Sequence, residues 1–291
     1  MFTIKTLIEY LILWGPTAPI MKFILGKTLH QKLAMYLRLG YWPQLDNPKT
    51  FNEKIMCRKI STDKDLFSEV SDKYTVREYI KEKHNENILN QVYQVVNDPN
   101  DICFEDLPDE FVIKPTHGSG WVHIVENKSE EDFQEIRSKC REWLSQSYGE
   151  TKGEYWYNEI EPRIIIEERL KDDDGDTPPD YKFFVFHGEV KYVQVDYDRF
   201  SDHSRRFYDR DWNPQDFKLK FPLGPVTEEP DNLDDMIRVA EKLGEDFDFI
   251  RVDLYNISED EIVFGELTLA PESGGGKFEP RDYDFQLGSH W

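Results

Sequence analysis

Lys114 closes the apolar run of FVIKPTHGSGW (111–121), and a proline and two glycines follow at once. An amine at the end of a strand-like run, beside Gly118 and Gly120, suits a loop whose backbone N–H groups fold over an anion, with Ser119 and Thr116 assisting. A Walker A loop carries its lysine after the last glycine and leads into a helix. Here the lysine comes first and the loop leads into another strand-like stretch, WVHIVEN (121–127), which rules out a P-loop. The competing reading is an ordinary hairpin turn with a surface lysine. Two carboxylates favour the phosphate role: Asp253 within FIRVDLY (249–255) and Glu266 within FGELTL (264–269). In such apolar strands an unpaired carboxylate costs several kcal/mol. On adjacent strands the pair would suit Mg²⁺, which takes one or two protein carboxylates and fills its remaining positions with phosphate oxygens and water. The competing reading turns them outward or pairs them with Arg251.

A third element is IEERL (166–170), where Glu167, Glu168 and the backbone after them leave a buried run and form a hinge suited to an adenine edge. Asp180, beyond the acidic loop KDDDGDTPPD, would reach ribose hydroxyls. Arg199, Arg205 and Arg206, with His203, gather basic groups in a very acidic chain. They would take the carboxylate or pyrophosphate of a sugar acceptor, or simply neutralise Asp198, Asp202 and Asp209. Trp121, Trp156 and Tyr157 offer faces for a sugar ring, or core.

These groups need a scaffold. SDKYTVREYIKEK (71–83) reads as a helix with a serine N-cap, and QVYQVV (91–96) and EFVIKP (110–115) as strands. Ser129 with Asp132 would cap a helix whose apolar face is Phe133, Ile136, Cys140, Trp143 and Leu144. RIIIEERL (163–170) suits a fully buried strand, and the stretch 181–200 alternates around His187-Gly188 as a hairpin. LDDMIRVAEKLG (233–244) is an amphipathic helix ending on Gly244, and the strands 249–255 and 261–269 close the chain. This order predicts an α+β fold, with helices set against antiparallel sheets.

The chain has 291 residues, enough for one large domain or two modest ones. A net charge of −22 argues against non-specific nucleic-acid binding, which depends on neutralising phosphates. Residues 1–60 hold nine Lys/Arg and three Asp/Glu, so the rest of the chain carries a net −28. This basic, helical leader would rest on an anionic membrane face or dock on the acidic body. Lys5, Glu9 and Gly15-Pro16 break its apolar start before a span accumulates. Cys57, Cys103 and Cys140 form neither a disulfide framework nor a zinc spacing, which fits a reducing cytoplasm.

In order, the chain shows Asp72-Lys73, a strand ending in Lys-Pro with a glycine loop, a strand ending in paired glutamates, Asp-Tyr-Lys (180–182) and RVDLY…FGELTLAPESGGG. With FNEKI (51–55) and DRFSDHSRRFYDRDW (198–212), this order resembles the ATP-grasp fold, and within it the TupA-like branch named for teichuronopeptide biosynthesis, over about residues 45–291. The resemblance implies a helical region (1–60) and an ATP-grasp domain (61–291), divided into phosphate-loop (about 61–165) and metal-binding (166–291) subdomains. It implies that Lys73 and Lys114 contact the α/β-phosphates of ATP and that His117 to Gly120 close over them. Glu167, Glu168 and Leu170 would line the adenine hinge, Asp180 would lie near the ribose, and Asp253 and Glu266 would hold one or two Mg²⁺. Arg251 would face the transferred phosphoryl group, with Lys182 as a second cation. One departure is Thr268, where many such ligases carry an asparagine as a further metal ligand. The activity implied is a carboxylate–amine ligase acting through an acyl phosphate, adding an amino acid or other amine to a uronic-acid acceptor in capsular or cell-surface polysaccharide synthesis. Its alternatives are a kinase acting on a sugar hydroxyl and a glycosyltransferase-associated protein. The implied location is the cytoplasm, with peripheral contact at the inner membrane face.

Overall fold

The computed structural model describes residues 17–61, 65–172, 177–197 and 202–291, with Leu11 and Gly175; of Ala18, Pro19 and Ser61 it describes the backbone alone. Arg199 lies outside the described residues.

Four helices come first: α1 (Ala18–Leu39), α2 (Phe51–Ser61), α3 (Asp65–Ser71) and α4 (Val76–Lys83). Strands β1 (Val92–Val96), β2 (Phe111–Pro115) and β3 (His123–Val125) follow, then helices α5 (Phe133–Leu144) and α6 (Tyr148–Lys152) and strand β4 (Ile164–Glu167). Next are β5 (Asp180–Phe186), β6 (Glu189–Tyr197), β7 (Ser204–Asp209), β8 (Pro214–Gln215) and β9 (Lys218–Leu219). Helix α7 (Leu233–Gly244), strands β10 (Phe249–Ser258), β11 (Glu261–Thr268) and β12 (Phe278–Glu279), and helix α8 (Asp282–Ser289) complete the chain.

Two antiparallel sheets organise these elements. The smaller runs β1-β4-β2-β3, and the larger runs β11-β10-β5-β6-β7-β8. Every residue of β4 is buried, as its unbroken apolar run demands, because it lies between two neighbours and under helix α5. Phe111, Ile113, Val125, Ile136, Cys140, Trp143, Ile164 and Ile166 make the core of this smaller unit. The larger core joins Phe183, Phe184, Val185 and Phe186 of β5 to Leu233, Met236, Ile237, Ala240 and Leu243 of α7. The expected hairpin at His187-Gly188 links β5 to β6.

Some local expectations need correction. Asp132 alone caps α5, accepting from the backbone N–H of Gln134 at 2.8 Å and of Glu135 at 3.3 Å, while Ser129 sits in a preceding 3₁₀ turn. Ser71 ends α3 instead of capping α4; Asp72 next to it accepts from the N–H of Tyr74 at 2.8 Å. Gly244 is the last helical residue of α7, and Glu245 after it keeps helical backbone. The strand predicted over 121–127 shrinks to β3.

The basic N-terminal helices are docked on the body. Phe51 of α2 is buried with its ring centroid 4.9 Å from that of Phe249 and 6.0 Å from that of Phe184. Arg58 of α2 pairs with Asp248 and donates to the carbonyl of Phe249 at 2.8 Å, and Lys22 of α1 pairs with Glu150 at 2.5 Å. Val70, Val76, Tyr79 and Ile80 of α3 and α4 join the larger core. No described helix is long and apolar enough to cross a membrane.

Candidate active site

Strands β10 and β11 place Asp253 and Glu266 directly opposite each other, as Cα partners. Strand β5 pairs on the other edge of β10 and sets Lys182 against Asp253. Period-two alternation puts Arg251 on the same face as Asp253, and Thr268 on the same face as Glu266. Arg251 donates to both oxygens of Asp253, each at 2.7 Å, and to Glu266 Oε1 and Thr268 Oγ1, each at 3.0 Å. Thr268 Oγ1 donates on to Glu266 Oε1 at 2.9 Å. Lys182, buried rather than on the surface, pairs with Asp180, and its Nζ lies 3.4 Å from Asp253 Oδ2.

The charges pull against one another. Burial lifts the Asp253 carboxyl above the usual carboxylate range against the pull of Arg251 and Lys182. Crowding would also raise Glu266, but Arg251, Lys73 and Lys182 outweigh it and hold it at about 2. Glu266 keeps 43% side-chain exposure and Asp253 only 5%, so the glutamate is the more accessible oxygen donor.

The other wall comes from the smaller sheet. Lys114 of β2 pairs with Glu167 of β4, whose carboxyl burial would raise but Lys114 holds low. Lys73, in the turn between α3 and α4, donates to the carbonyl of Gly118. Burial pushes Lys73 down to about 8; Glu266 across the cleft is the strongest charge acting on it, with Lys114 and Glu167 alongside. Thus one lysine lies within electrostatic reach of both the glycine loop and the proposed metal strand. Two groups to which sequence reasoning gave no role, Asp72 and Arg163, set its place. Asp72 accepts from Tyr74 N–H, and its other oxygen accepts from Arg163 at 2.7 Å.

The loop backbone explains its glycines. A Cβ on Gly118 would stand 2.6 Å from the Trp121 ring, so only glycine lets that indole lie against the loop. Ser119 and Gly120 are exposed at the tip. The His117 side chain turns inward, its Nε2–H donating to the carbonyl of Trp143 at 3.2 Å, and burial holds its pKa down. The Thr116 hydroxyl donates to the carbonyl of Glu161 at 3.3 Å.

At the hinge, the Glu168 N–H donates to Gln91 O at 2.9 Å, and Leu170 is half-buried. Asp180 opens β5 beside the carboxylates. The described members of the basic cluster have partners other than Asp198, Asp202 and Asp209. Arg205 is buried, bound through Nε to Asp196 at 2.6 Å and through an η nitrogen to Glu272 at 3.0 Å. Arg206 donates to the carbonyl of Gly224 at 2.8 Å, and His203 stacks on Phe221 with ring centroids 3.7 Å apart. Asp196, the partner that sequence reasoning missed, carried one signal: it alternates with Gln194, which pairs with Lys182 across β6 and β5. Trp156 is core, in edge contact with Phe67. Trp121 and Tyr157 are half-buried against Tyr148.

Asp253, Glu266 and the Thr268 hydroxyl form an oxygen donor set on adjacent strands, which fits Mg²⁺. Among the described residues no cluster of three or more His, Cys, Asp or Glu could hold a metal by itself. The ion would therefore complete its shell from phosphate oxygens and water. Two cavities, of 280 and 450 Å³, are lined by none of these residues.

A small antiparallel sheet carrying Lys114, a large one carrying the in-register carboxylates, and Lys73 acting on both Glu167 and Glu266 go with an ATP-grasp protein. More narrowly, residues 53–291 match the model of the TupA-like ATPgrasp family, and the chain belongs to that family. No curated protein matches it. Among solved structures it is similar to an ADP complex of N5-carboxyaminoimidazole ribonucleotide synthetase (13% identity, TM-score 0.46, 70% of this chain and 46% of that one). It is similar to D-alanine–D-alanine ligase from Bacillus anthracis (16% identity, TM-score 0.45, 71% and 59%). A third is N5-carboxyaminoimidazole synthase from Aspergillus clavatus in complex with ADP and 5-aminoimidazole ribonucleotide (10% identity, TM-score 0.43, 82% and 56%). The chain spans about half the length of these structures.

Proposed function

We propose that this protein is a Mg²⁺- and ATP-dependent carboxylate–amine ligase. The observation that carries the proposal is the in-register pair Asp253 and Glu266, bridged by Arg251, with Lys73 acting on Glu266 from the turn between α3 and α4. Phosphoryl transfer asks a protein for positioning and for positive charge, and that is what these residues supply. Lys73 and Lys114 bind the α/β-phosphates under the glycine loop, and Glu167 to Leu170 with Asp180 hold the nucleoside. Asp253 and Glu266, with Thr268, hold Mg²⁺, which when bound draws off phosphate charge.

In the first step an acceptor carboxylate oxygen attacks the γ-phosphorus, the bond from γ-phosphorus to the β–γ bridging oxygen breaks, and ADP leaves. Arg251 and Lys182 stabilise the charge on the transferred group. In the second step an amine nitrogen attacks the acyl carbon, phosphate leaves with the electron pair of the C–O bond, and the proton that the nitrogen loses passes to the departing phosphate. The glycine loop excludes water meanwhile. We infer that the acceptor is a uronic acid of a capsular or surface polysaccharide, worked on in the cytoplasm. Ile20, Phe23 and Ile24, exposed on α1, support contact with the inner membrane face.

The test is ³¹P NMR of Mg-ATP with the protein and a pool of uronic acids, with and without a pool of amino acids. ADP and free phosphate forming only with both pools support the ligase. A phosphorus signal moving onto a sugar without amine overturns it in favour of a kinase.

A further inference from the structure

The cavity of 280 Å³ takes no part in the scheme above. Helix α1 lines it with Lys27, Thr28 and Gln31, α2 with Lys59, and the 3₁₀ turn Tyr155–Glu159 with Tyr155 and Trp156. Among the described residues, no Asp or Glu lines it. Its volume lies just below the roughly 300–1,000 Å³ of sites for drug-sized ligands, so it suits a small polar group.

Donors gather there. Lys59 is 4% exposed, and its ammonium donates to Ser273 O at 3.1 Å and Oγ at 2.9 Å, which takes two of its three N–H groups. Lys27 Nζ stands 4.0 Å from the centroid of the Tyr155 ring. The Trp156 indole N–H is buried with no hydrogen-bond partner among the described residues, a condition that buried indoles seldom show. Two acids interact with these lysines, and both have other partners. Glu150, on which Lys27 acts, pairs with Lys22 at 2.5 Å and accepts from Asn158 at 3.1 Å. Glu154, which acts on Lys59, lies 2.6 Å from the Ser273 hydroxyl.

What adjoins the cavity indicates its occupant. Helix α1 contains no Asp or Glu, in a chain of net −22. Ile20, Phe23 and Ile24, at i, i+3 and i+4, share one face of its first turns and are exposed, Phe23 at 90%. Gly26 then breaks the helix with φ 74° and ψ 160°, a combination open essentially to glycine alone. The chain leaves that break directly into Lys27. Lys22, within the exposed turns, also stands over the Tyr155 ring, at 5.1 Å, so both sides of the break meet at one aromatic side chain. Lys27 follows Ile24 by three residues, at most about 11 Å of chain. An amphipathic face sinks about 5–10 Å into a bilayer, to the boundary of headgroups and acyl chains. With Phe23 and Ile24 at that depth, Lys27 and the cavity stand at the level of the lipid phosphates.

We propose that this cavity binds the phosphate headgroup of an anionic lipid, held by Lys27 and Lys59, while Ile20, Phe23 and Ile24 enter the acyl boundary. The proposal rests on the membrane contact proposed above and adds a headgroup site to it. General attraction to an anionic surface is shared by every nearby lysine. The cavity concentrates it on Lys27.

Co-sedimentation of the full chain with phosphatidylcholine vesicles, with and without phosphatidylglycerol, tests it. The wild type binds the phosphatidylglycerol vesicles at least about tenfold more tightly than phosphatidylcholine alone. Lys27→Gln loses at least about tenfold of that affinity. Lys32→Gln, the same charge loss on the same helix outside the cavity, loses no more than the roughly fivefold that one lysine near an anionic surface contributes. AMP-PNP affinity and the melting temperature of both variants stay at the wild-type values. Equal losses in the two variants, or equal binding to both kinds of vesicle, overturn the headgroup site and leave the membrane contact standing. Binding of free glycerol phosphate in isothermal titration, without sedimentation on either vesicle, gives the cavity to a soluble phosphate and overturns the lipid source. Failure to bind any vesicle or glycerol phosphate overturns the site and the membrane contact together.

Discussion

Arg251 holds Asp253 through two parallel hydrogen bonds of 2.7 Å each and reaches Glu266 with the same guanidinium. The arginine bonds the same oxygens that Mg²⁺ would take. Bidentate geometry of this kind is the strong form of a carboxylate contact. The site is thus kept compact by its own counter-charge, and the metal must share those carboxylates with Arg251.

Asp253→Asn keeps the shape but removes the charge from a buried pair. Breaking such a pair costs about 3–5 kcal/mol. The variant should unfold at lower urea, and AMP-PNP binding should lose its Mg²⁺ dependence. Mg²⁺ titrations that overlay those of the wild type would remove Asp253 from the metal site.

Lys73→Met should weaken AMP-PNP by about tenfold or more, because a charge-assisted contact to phosphate is lost. Its stability should rise slightly, since a buried amine whose pKa burial pushes down to about 8 is replaced by an apolar chain. A nucleotide affinity unchanged from wild type would exclude Lys73 from phosphate binding.

Gly118→Ala places a methyl 2.6 Å from the indole of Trp121. The loop and the ring must separate. The expected readout is a shift in Trp121 fluorescence together with weaker AMP-PNP binding and an unchanged far-ultraviolet spectrum. Nucleotide affinity equal to wild type would show that the loop does not close on the phosphates.

Arg205→Met leaves the Asp196 and Glu272 carboxylates without their shared guanidinium. It should cost about 3–5 kcal/mol of stability, with little change in AMP-PNP affinity at temperatures where the protein stays folded. A fully stable Arg205→Met protein would return Arg205 to the pool of acceptor-binding residues.

The same pair predicts an acid limb. Burial would raise Asp196, but Arg205 prevails and holds it well below the ordinary carboxylate value. A depressed folded-state pKa gives stability that is full above the unfolded value and is lost as pH falls. Urea midpoints should therefore drop below about pH 5, and the drop should be shallower in Asp196→Asn, where no carboxyl titrates. Equal slopes in the two proteins would contradict the assignment.

The sheets were legible because burial on both faces leaves unbroken apolar runs, as in Ile164–Ile166, and because polar residues inside such runs stand out, as Asp253 and Glu266 do. Their register was not legible. That Asp253 faces Glu266 and Lys182 depends on pairing between distant segments, including a shift at the bulge after Asp253. Arg205 misled for a related reason. A cluster of arginines looks open in a linear chain, while its partners arrive from the neighbouring strand, Asp196, and from the turn after β11, Glu272. Asp132 outranked Ser129 as the cap because only its carboxylate reaches two successive backbone N–H groups. The family resemblance put His117 in the loop over the phosphates; that its side chain donates to a helix carbonyl depends on packing no linear motif shows.

Phe51 lies just before the first residue that the family model matches, yet its ring is enclosed by Phe184, Phe249, Phe278 and Trp291. Trimming the chain to residues 53–291 would take that ring away and leave an aromatic socket open to water. Burial of one such side chain contributes about 1.5–3 kcal/mol, a large part of what a domain has to spare. The stretch by which relatives recognise one another is therefore shorter than the stretch that melts as a unit, and expression designs should follow the second boundary.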